Sequence, residues 1–244
     1  MSRNIHYLWV EGNIGAGKST LINRITPILS RLFSLSSSTC VFVAVPEPLE
    51  MWINAHNSGE NVLAAFYTDK SRNSYLFQSH VLITRISAIT KAISDAITLN
   101  PKCRDIYLLC ERSIYSDRYV FARSLFTKGE MSRMEMQVYQ GLWDQMQNIL
   151  PRGTTVAVVF LAAGRLECQT QMKRRGRVEE SAVPADWLDR IGGFHELALR
   201  EWKWPGSSKR LMCLSPEDLR DLPADDIITQ VVAEKIFCFI RNKL

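Results

Sequence analysis

The residues with the clearest chemical meaning form a glycine-rich loop near the start of the chain. Residues 12–19 read Gly-Asn-Ile-Gly-Ala-Gly-Lys-Ser and fit the pattern G-x-x-x-x-G-K-[ST] at every position. Glycines let a backbone wrap around phosphate groups and turn its N–H groups inward, while Lys18 can reach the β- and γ-phosphates and Ser19 can ligate Mg²⁺. We therefore predict an ATP-binding loop with Mg²⁺ as cofactor. Its predicted ATP contacts are Gly12, Asn13, Ile14, Gly15, Ala16, Gly17, Lys18, Ser19 and Thr20.

Two further groups of reactive side chains follow later apolar runs. Glu47 lies between two prolines after the run 41–45, and Glu111 and Arg112 follow the run 106–110. Phosphoryl transfer needs a carboxylate to accept a hydroxyl proton, a carboxylate near Mg²⁺ and an arginine for the acceptor oxygen. The alternatives are a solvated loop acid and a surface ion pair. The flanking prolines hold the backbone of Glu47 extended, which favours a positioned group.

The elements that must position these residues can be read from the hydrophobic pattern. Five strand-sized apolar runs occur at 7–10, 41–45, 106–110, 156–161 and 211–214. Helix-like segments lie between and after them, at 19–33, 71–99, 131–149, 165–174, 184–202 and 225–242. This alternation predicts one α/β domain over residues 1–244, with a five-stranded parallel sheet flanked by helices. Ligands of such sheets bind beyond the carboxyl ends of the strands, where the glycine loop, Glu47 and Glu111 would meet.

Two polar residues lie on the apolar face of the long helix predicted at 71–99. Gln78, Val81 and Arg85 have the spacing i, i+3, i+7, so their side chains face one way. A glutamine and an arginine are out of place in a core, which favours a binding role. The alternative for Arg85 is a side chain that reaches solvent from the edge of the helix.

Composition limits the partners of the chain. The net charge is +5, but no basic run is interleaved with aromatic residues, which argues against binding to a nucleic acid polymer. The six cysteines form no C-x-x-C pair and mostly lie in apolar runs, as expected for reduced core thiols. No apolar run approaches the ~20 residues that span a bilayer, and the first one leads directly into the glycine loop, unlike a signal peptide. We expect a soluble, cytoplasmic protein with no membrane partner.

Together these residues resemble the deoxynucleoside kinase family, which includes deoxycytidine and deoxyguanosine kinases, mitochondrial thymidine kinase and the insect multisubstrate enzyme. The similarity runs from about residue 7 to the C-terminus. Its most specific pieces are residues 11–19, Pro46-Glu47-Pro48 with Trp52, Asn61-Val62-Leu63 with Tyr67, Phe77-Gln78, and residues 111–119.

The resemblance implies a P-loop kinase fold and transfer of the γ-phosphate of ATP to the 5′-hydroxyl of a deoxynucleoside. It implies that Glu47 is the general base with Arg112 beside it, and that Glu111 helps Ser19 to hold Mg²⁺. It also implies a homodimer formed by helix packing. The implied deoxynucleoside contacts are Glu47, Trp52, Leu63, Phe66, Tyr67, Phe77, Gln78, Val81, Arg85, Arg112, Asp117, Phe121 and Glu180. Among these, Tyr67 and Glu180 would hold the 3′-hydroxyl.

An arginine-rich lid is expected at residues 171–181. Arg175 and Arg177 match lid positions of the family and would act in catalysis by clamping the transferring phosphoryl group. Gln171 stands where the family usually has an arginine. Either Lys173 or Arg174 supplies that charge, or the lid works with one cation fewer. Asp218 matches a loop that frames the adenine of ATP in relatives.

The identity of the acceptor rests on the same residues. The resemblance brings Arg85 and Asp117 together beside the base, and thymidine-preferring relatives have smaller or uncharged side chains there. This predicts deoxycytidine or purine deoxynucleosides over thymidine, although Val81 resembles thymidine-accepting enzymes. One alternative is a nucleoside monophosphate kinase, but residues 45–59 lack the cations that an acceptor phosphate needs. The other is a binding protein without turnover, against which the complete set of catalytic residues argues.

Overall fold

The computed structural model describes residues 3–153, 155–180, 183–205, 210–215 and 227–241. The five strands are β1 (Asn4–Gly12), β2 (Cys40–Val45), β3 (Asp105–Glu111), β4 (Thr155–Leu161) and β5 (Leu211–Leu214). They form one all-parallel sheet in the order β2-β3-β1-β4-β5. The predicted α/β fold and all five predicted strands are confirmed.

Helices cover both faces of this sheet. They are α1 (Lys18–Ser36), α2 (Glu50–Ile53), α3 (Val62–Thr68), α4 (Lys70–Leu99), α5 (Ile114–Ser116), α6 (Arg123–Lys128), α7 (Arg133–Met146), α8 (Arg165–Arg175), α9 (Ala185–Glu201) and α10 (Ile227–Arg241). All six predicted helices are present, with ends that differ by a few residues. Short 3₁₀ turns occupy Ala55–Asn57, Gln147–Ile149 and Val178–Glu180.

The hydrophobic pattern did not predict the helices at 50–53, 62–68 and 114–128. The first two are too short to show a helical period. The third contains a π-helical turn, Asp117–Ala122, between α5 and α6. Polar residues such as Ser116 and Asp117 are buried there beside apolar ones, so no amphipathic stripe appears in the sequence.

The core lies on both faces of the sheet. Trp9 and Val10 are consecutive in β1 and therefore point to opposite faces. Trp9 packs in the same cluster as Leu82 of α4, whereas Val10 packs with Ile25 of α1. Both faces of the central strand are thus covered, as the continuously apolar runs predicted.

The cysteines and the helix lengths bear on the remaining expectations. All six cysteines are free thiols, but only Cys103, Cys110 and Cys168 are buried. Cys213 and Cys238 are exposed, so the expectation of core thiols was wrong for these two. Within the described ranges, no helix is both long enough and apolar enough to cross a bilayer.

Candidate active site

The carboxyl ends of three neighbouring strands open into one cleft. The register pairs Val10 with Glu111 and Val45 with Cys110, so β1, β2 and β3 end at the same edge of the sheet. The cleft, including its open mouth, has a volume of about 660 Å³. All predicted deoxynucleoside contacts line it: Glu47, Trp52, Leu63, Phe66, Tyr67, Phe77, Gln78, Val81, Arg85, Arg112, Asp117, Phe121 and Glu180.

The glycine loop has a backbone that only glycine adopts readily. Gly12, Gly15 and Gly17 have φ values of 145°, 77° and 90°. A Cβ atom at Gly15 would lie 2.5 Å from the carbonyl oxygen of Cys168, because α8 packs directly against the loop. Helix α1 begins immediately afterwards at Lys18, so its positive end faces the loop and favours an anion there.

Lys18 is buried at the base of this loop. Its Nζ donates hydrogen bonds to the carbonyl oxygens of Gly12, at 3.3 Å, and Asn13, at 2.8 Å. Burial and then the nearby Arg112 lower the pKa of Lys18 to about 8, against the pull of surrounding carboxylates. The ammonium group is therefore desolvated and would interact strongly with a phosphate.

The remaining predicted ATP contacts lie around Lys18. Asn13 is fixed by a bond from its Nδ2 to the carbonyl oxygen of Leu188, at 2.8 Å, and its Oδ1 accepts from the amide of Ile14. Ala16 is buried and Thr20 is exposed in the first turn of α1. Asp218 lies outside the described residues.

Ser19 and Glu111 form an oxygen-rich pair beside the loop. The Ser19 hydroxyl donates to Glu111 Oε1 at 2.8 Å, and Glu111 is buried. Hydroxyl and carboxylate oxygens are the ligands that Mg²⁺ prefers. The two residues thus fit the magnesium site predicted from the sequence.

Glu47 stands between two arginines. Its Oε1 accepts a hydrogen bond from Arg85 Nη2 and forms an ion pair with Arg112 Nε, each at 3.2 Å. Burial alone would raise the pKa of Glu47, but Arg112, Arg85 and Lys18 together outweigh burial and lower it. The carboxylate is therefore ionised at neutral pH and has a fixed orientation.

Arg85 also pairs with a second acid. Its Nε and Nη2 donate to the two carboxylate oxygens of Asp117, at 2.8 and 3.2 Å, and its Nη1 donates to the carbonyl oxygen of Glu111 at 2.8 Å. Arg85 and Asp117 are only 3% and 1% exposed. Burial disfavours the charged guanidinium, but Asp117 and Glu47 outweigh it and raise the pKa of Arg85. Arg85 is thus a paired cation inside the cleft and does not reach solvent from the edge of the helix.

One part of the cleft is lined by buried aromatic rings and one buried polar side chain. Phe66 stacks on Phe77 at 4.6 Å between ring centroids, and Trp52 meets Phe77 edge-on at 5.8 Å. Gln78 is buried, and its Oε1 has no hydrogen-bond partner in the part of the chain that the structure describes. An unpaired amide oxygen beside aromatic walls is suited to the edge of a planar heterocycle.

Comparison with known proteins identifies the family. The family model described as deoxynucleoside kinase matches residues 8–237. The chain belongs to this family. It is 32% identical to deoxycytidine kinase of Bos taurus, over 77% of this chain and 72% of the relative. It is 34% identical to a probable deoxycytidine kinase of fowlpox virus, over 79% and 71%, and 28% identical to mitochondrial deoxyguanosine kinase of Xenopus laevis, over 88% and 78%.

In the segment predicted to form a lid, two arginines bind the same acid. Arg175 Nη2 and Arg177 Nη1 both donate to the carboxylate of Glu180, the latter bond at 2.9 Å. Lys173 and Arg174 are exposed. The amide oxygen of Gln171 lies 3.1 Å from the position that a Cβ atom at Gly17 would occupy, so Gln171 covers the glycine loop.

Two residues of the kinase cleft were missed from the sequence. Leu49 and Trp187 line the cleft, and Trp187 contacts Phe66 edge-on at 6.2 Å. Trp187 falls in a helix that was predicted correctly, but an apolar residue on an amphipathic helix indicates core equally well. The sequence contains no signal that separates these two roles.

Proposed function

We propose that this deoxynucleoside kinase transfers the γ-phosphate of ATP to the 5′-hydroxyl of deoxynucleosides and prefers deoxycytidine or purine deoxynucleosides to thymidine. The observation that carries the proposal is the position of Glu47. An ionised carboxylate that is 20% exposed lies at the strand edge that also carries the glycine loop, within 3.2 Å of Arg85 and Arg112.

The donor phosphates would bind at the glycine loop. Its amides and the start of α1 would hold the β-phosphate, and Lys18 would exchange its bonds to Gly12 and Asn13 for the β- and γ-phosphates. Arg175 and Arg177 would leave Glu180 to neutralise the equatorial oxygens of the transferring group. Magnesium, held by Ser19 and Glu111, supplies neutralisation of phosphate charge when bound.

The acceptor hydroxyl would be oriented by Glu47. The lowered pKa of Glu47 makes it a weak base before reaction. In a loose transition state the hydroxyl loses its proton late, after its oxygen has begun to bond to phosphorus. That bonding makes the hydroxyl more acidic, so a weak base with a fixed orientation is sufficient. The proton moves from the 5′-oxygen to a carboxylate oxygen of Glu47, while Arg112 interacts with the acceptor oxygen. Tyr67 and Glu180 would hold the 3′-hydroxyl.

The base would be selected by Gln78, Arg85 and Asp117. The Oε1 atom of Gln78 can accept a hydrogen bond from an exocyclic amino group, while its Nε2 donates to a ring nitrogen or carbonyl. The Arg85–Asp117 pair resists displacement, because moving one member leaves the other as an unpaired buried charge. A methyl group on the pyrimidine ring would press on this pair, which disfavours thymidine.

A homodimer through α4 and α7 is supported by exposed apolar side chains. Leu76 and Ile83 of α4 are 53% and 46% exposed, and Met134 and Val138 of α7 are 73% and 52% exposed. The two helices contact each other in the chain. Burying these side chains against a second copy would remove an apolar patch from water. Light scattering should report a dimer for the native protein and a monomer for Ile83→Glu.

The proposed reaction is tested by incubating the protein with ATP, Mg²⁺ and each of the common deoxynucleosides or their 5′-monophosphates. Chromatography should show 5′-monophosphates formed from deoxynucleosides, with thymidine the poorest acceptor, and no diphosphates formed from monophosphates. Diphosphate formation would support a nucleoside monophosphate kinase instead. The absence of any transfer would support a binding protein without turnover.

A further inference from the structure

A buried acid behind the cleft takes no part in the mechanism described above. Glu11, the last residue of β1 before the glycine loop, is 0% exposed. Its Oε1 accepts two hydrogen bonds from Ser113, one from the amide at 3.0 Å and one from the hydroxyl at 2.6 Å. Trp204 Nε1 in turn donates to the Ser113 hydroxyl at 3.0 Å. Glu11 therefore ties the end of β1 to the segment that follows β3.

The tie lies directly beside a strained residue. Arg112 has a φ of 63°, a left-handed conformation that costs free energy for any residue other than glycine. Hydrogen bonds hold the backbone on both sides of Arg112. The Arg112 amide donates to the carbonyl oxygen of Val10 at 3.0 Å, and the next amide, that of Ser113, donates to Glu11. With this turn, the Arg112 guanidinium contacts Glu47 and donates to the carbonyl oxygen of Gly12 at 2.8 Å.

The second carboxylate oxygen of Glu11 faces a histidine. Glu11 Oε2 lies 4.0 Å from His195 Nε2, and neither atom has a hydrogen-bond partner among the residues described. His195 Nδ1 lies 2.9 Å from the Ile191 carbonyl oxygen, which can only accept, so Nδ1 carries a proton. A neutral imidazole then presents the lone pair of Nε2 to Glu11. At 4.0 Å the two atoms are too far apart for a hydrogen bond, so Glu11 Oε2 faces an acceptor to which it is not bonded.

The surroundings favour the uncharged forms of both side chains. Burial raises the pKa of Glu11 more than Arg112 and Ser113 lower it. Burial, followed by Arg112, lowers the pKa of His195 to about 3. The Glu11–His195 contact is therefore not an ion pair, because the imidazole is neutral.

We propose that Glu11 is a positioning residue: it holds Ser113 by two hydrogen bonds, and through Ser113 it maintains the left-handed turn that directs Arg112 to Glu47. Glu11 does not touch the substrates. The effect of this role on kcat rests on the proposed function, whereas its effect on the position of the Arg112 side chain does not.

The kinetic test compares Glu11→Gln and Glu11→Ala with the native protein. Glutamine keeps the acceptor for Ser113 and places an N–H donor opposite His195, so Glu11→Gln should retain kcat within about threefold. Glu11→Ala should lower kcat by about 10²-fold, with a smaller change in the KM for ATP. Val159→Ala, a core substitution in β4, controls for loss of stability alone.

A double-mutant cycle tests whether Glu11 acts through Arg112. If it does, Glu11→Ala lowers kcat in the native background but has no further effect in an Arg112→Ala background. Three results would each overturn the proposal. They are an equal loss of kcat on Glu11→Ala in both backgrounds, full activity of Glu11→Ala, and an equal loss of kcat in Glu11→Gln and Glu11→Ala. If Glu11→Ala does not fold, Ser113→Ala takes its place in the cycle with the same criteria.

A ligand-free measurement separates this proposal from the proposed reaction. The Arg112 guanidinium is buried, with Nε 3.2 Å from Glu47 Oε1 and Nη1 donating to the carbonyl oxygen of Gly12, so its NMR signal, assigned with Arg112→Lys, should exchange slowly with water. The slow signal should persist in Glu11→Gln and be lost in Glu11→Ala. Unchanged protection in Glu11→Ala would contradict the positioning role even if the native protein phosphorylates deoxynucleosides. Inactivity of the native protein would contradict the proposed function and leave this test valid.

Discussion

Arg85 and Asp117 form a two-point ion pair inside the cleft, with their contacts at 2.8 and 3.2 Å. The same guanidinium contacts Glu47 at 3.2 Å. Arg85, one of the side chains proposed to select the base, is therefore bonded to Glu47, the side chain proposed to activate the hydroxyl. A change of specificity at this pair should also alter the rate.

Replacing the pair by Arg85→Met with Asp117→Ala should admit thymidine. The double variant removes both buried charges together, so neither is left unpaired, and it opens space beside the base. We expect the ratio of kcat/KM for thymidine to that for deoxycytidine to rise by about 10-fold or more, because one methyl group in a pocket is worth ~1–3 kcal/mol. The four deoxynucleosides should be assayed in parallel.

The matched control for that variant is Lys91→Met with Asp95→Ala. This ion pair lies on α4, the helix that carries Arg85, but its side chains are 73% and 53% exposed. It should leave the specificity unchanged. Thymidine as the best substrate of the native protein, or no gain in the double variant, would show that the Arg85–Asp117 pair does not set specificity.

Lys18→Ala should abolish turnover while the fold survives. The variant removes a buried cation at the proposed β- and γ-phosphate site, and charged donors at such sites are worth about 3–4 kcal/mol in the transition state. Steady-state kinetics and thermal unfolding measure the two effects. The exposed Lys102→Ala serves as the control. A Lys18→Ala variant with more than about a tenth of native kcat would remove Lys18 from the mechanism.

Glu47→Gln should lower kcat by about 10²–10⁴-fold and change KM much less. The amide keeps the shape of the side chain but cannot accept the proton of the hydroxyl. Glu50→Gln is the matched control, since Glu50 lies three residues further on and is exposed. If only KM moved, Glu47 would bind the substrate and the base would have to be another residue.

Gln171→Arg should raise kcat/KM for ATP severalfold. Gln171 covers the glycine loop near Gly17, so an arginine there would add a cation beside the donor phosphates. Gln169→Arg makes the same chemical change on another face of α8 and should have little effect. Unchanged or lower kcat/KM in Gln171→Arg would indicate that Lys173 or Arg174 already supplies the charge.

The sequence predicted those parts of the site that depend on strand ends. Residues 12–19, Glu47 and Glu111 each lie at the carboxyl end of an apolar strand, and a parallel sheet brings such positions together whatever the loops do. Gln78 and Arg85 could be predicted because polar residues interrupt an apolar helix face. In these cases the local pattern and the topology determine the position of a side chain.

Other features depend on contacts that no local pattern encodes. The π-helical turn at 117–122 buries polar and apolar side chains alike, and the left-handed Arg112 is flanked by two long-range hydrogen bonds, from its own amide to Val10 and from the amide of Ser113 to Glu11. Glu11 and His195, which lie against each other in the core, are far apart in the chain. Such long-range packing cannot be read from hydrophobic periodicity.

Transfer of phosphate from ATP to a deoxynucleoside, with Glu47 as the base, can be tested most directly by a single-turnover experiment. It uses ATP labelled at the γ-phosphate, excess native protein, Mg²⁺ and deoxycytidine. We expect the label to appear in deoxycytidine 5′-monophosphate, and Glu47→Gln to slow this step by about 10²-fold or more. Label that stays in ATP or appears in inorganic phosphate, or a Glu47→Gln protein that transfers at the native rate, would contradict this mechanism.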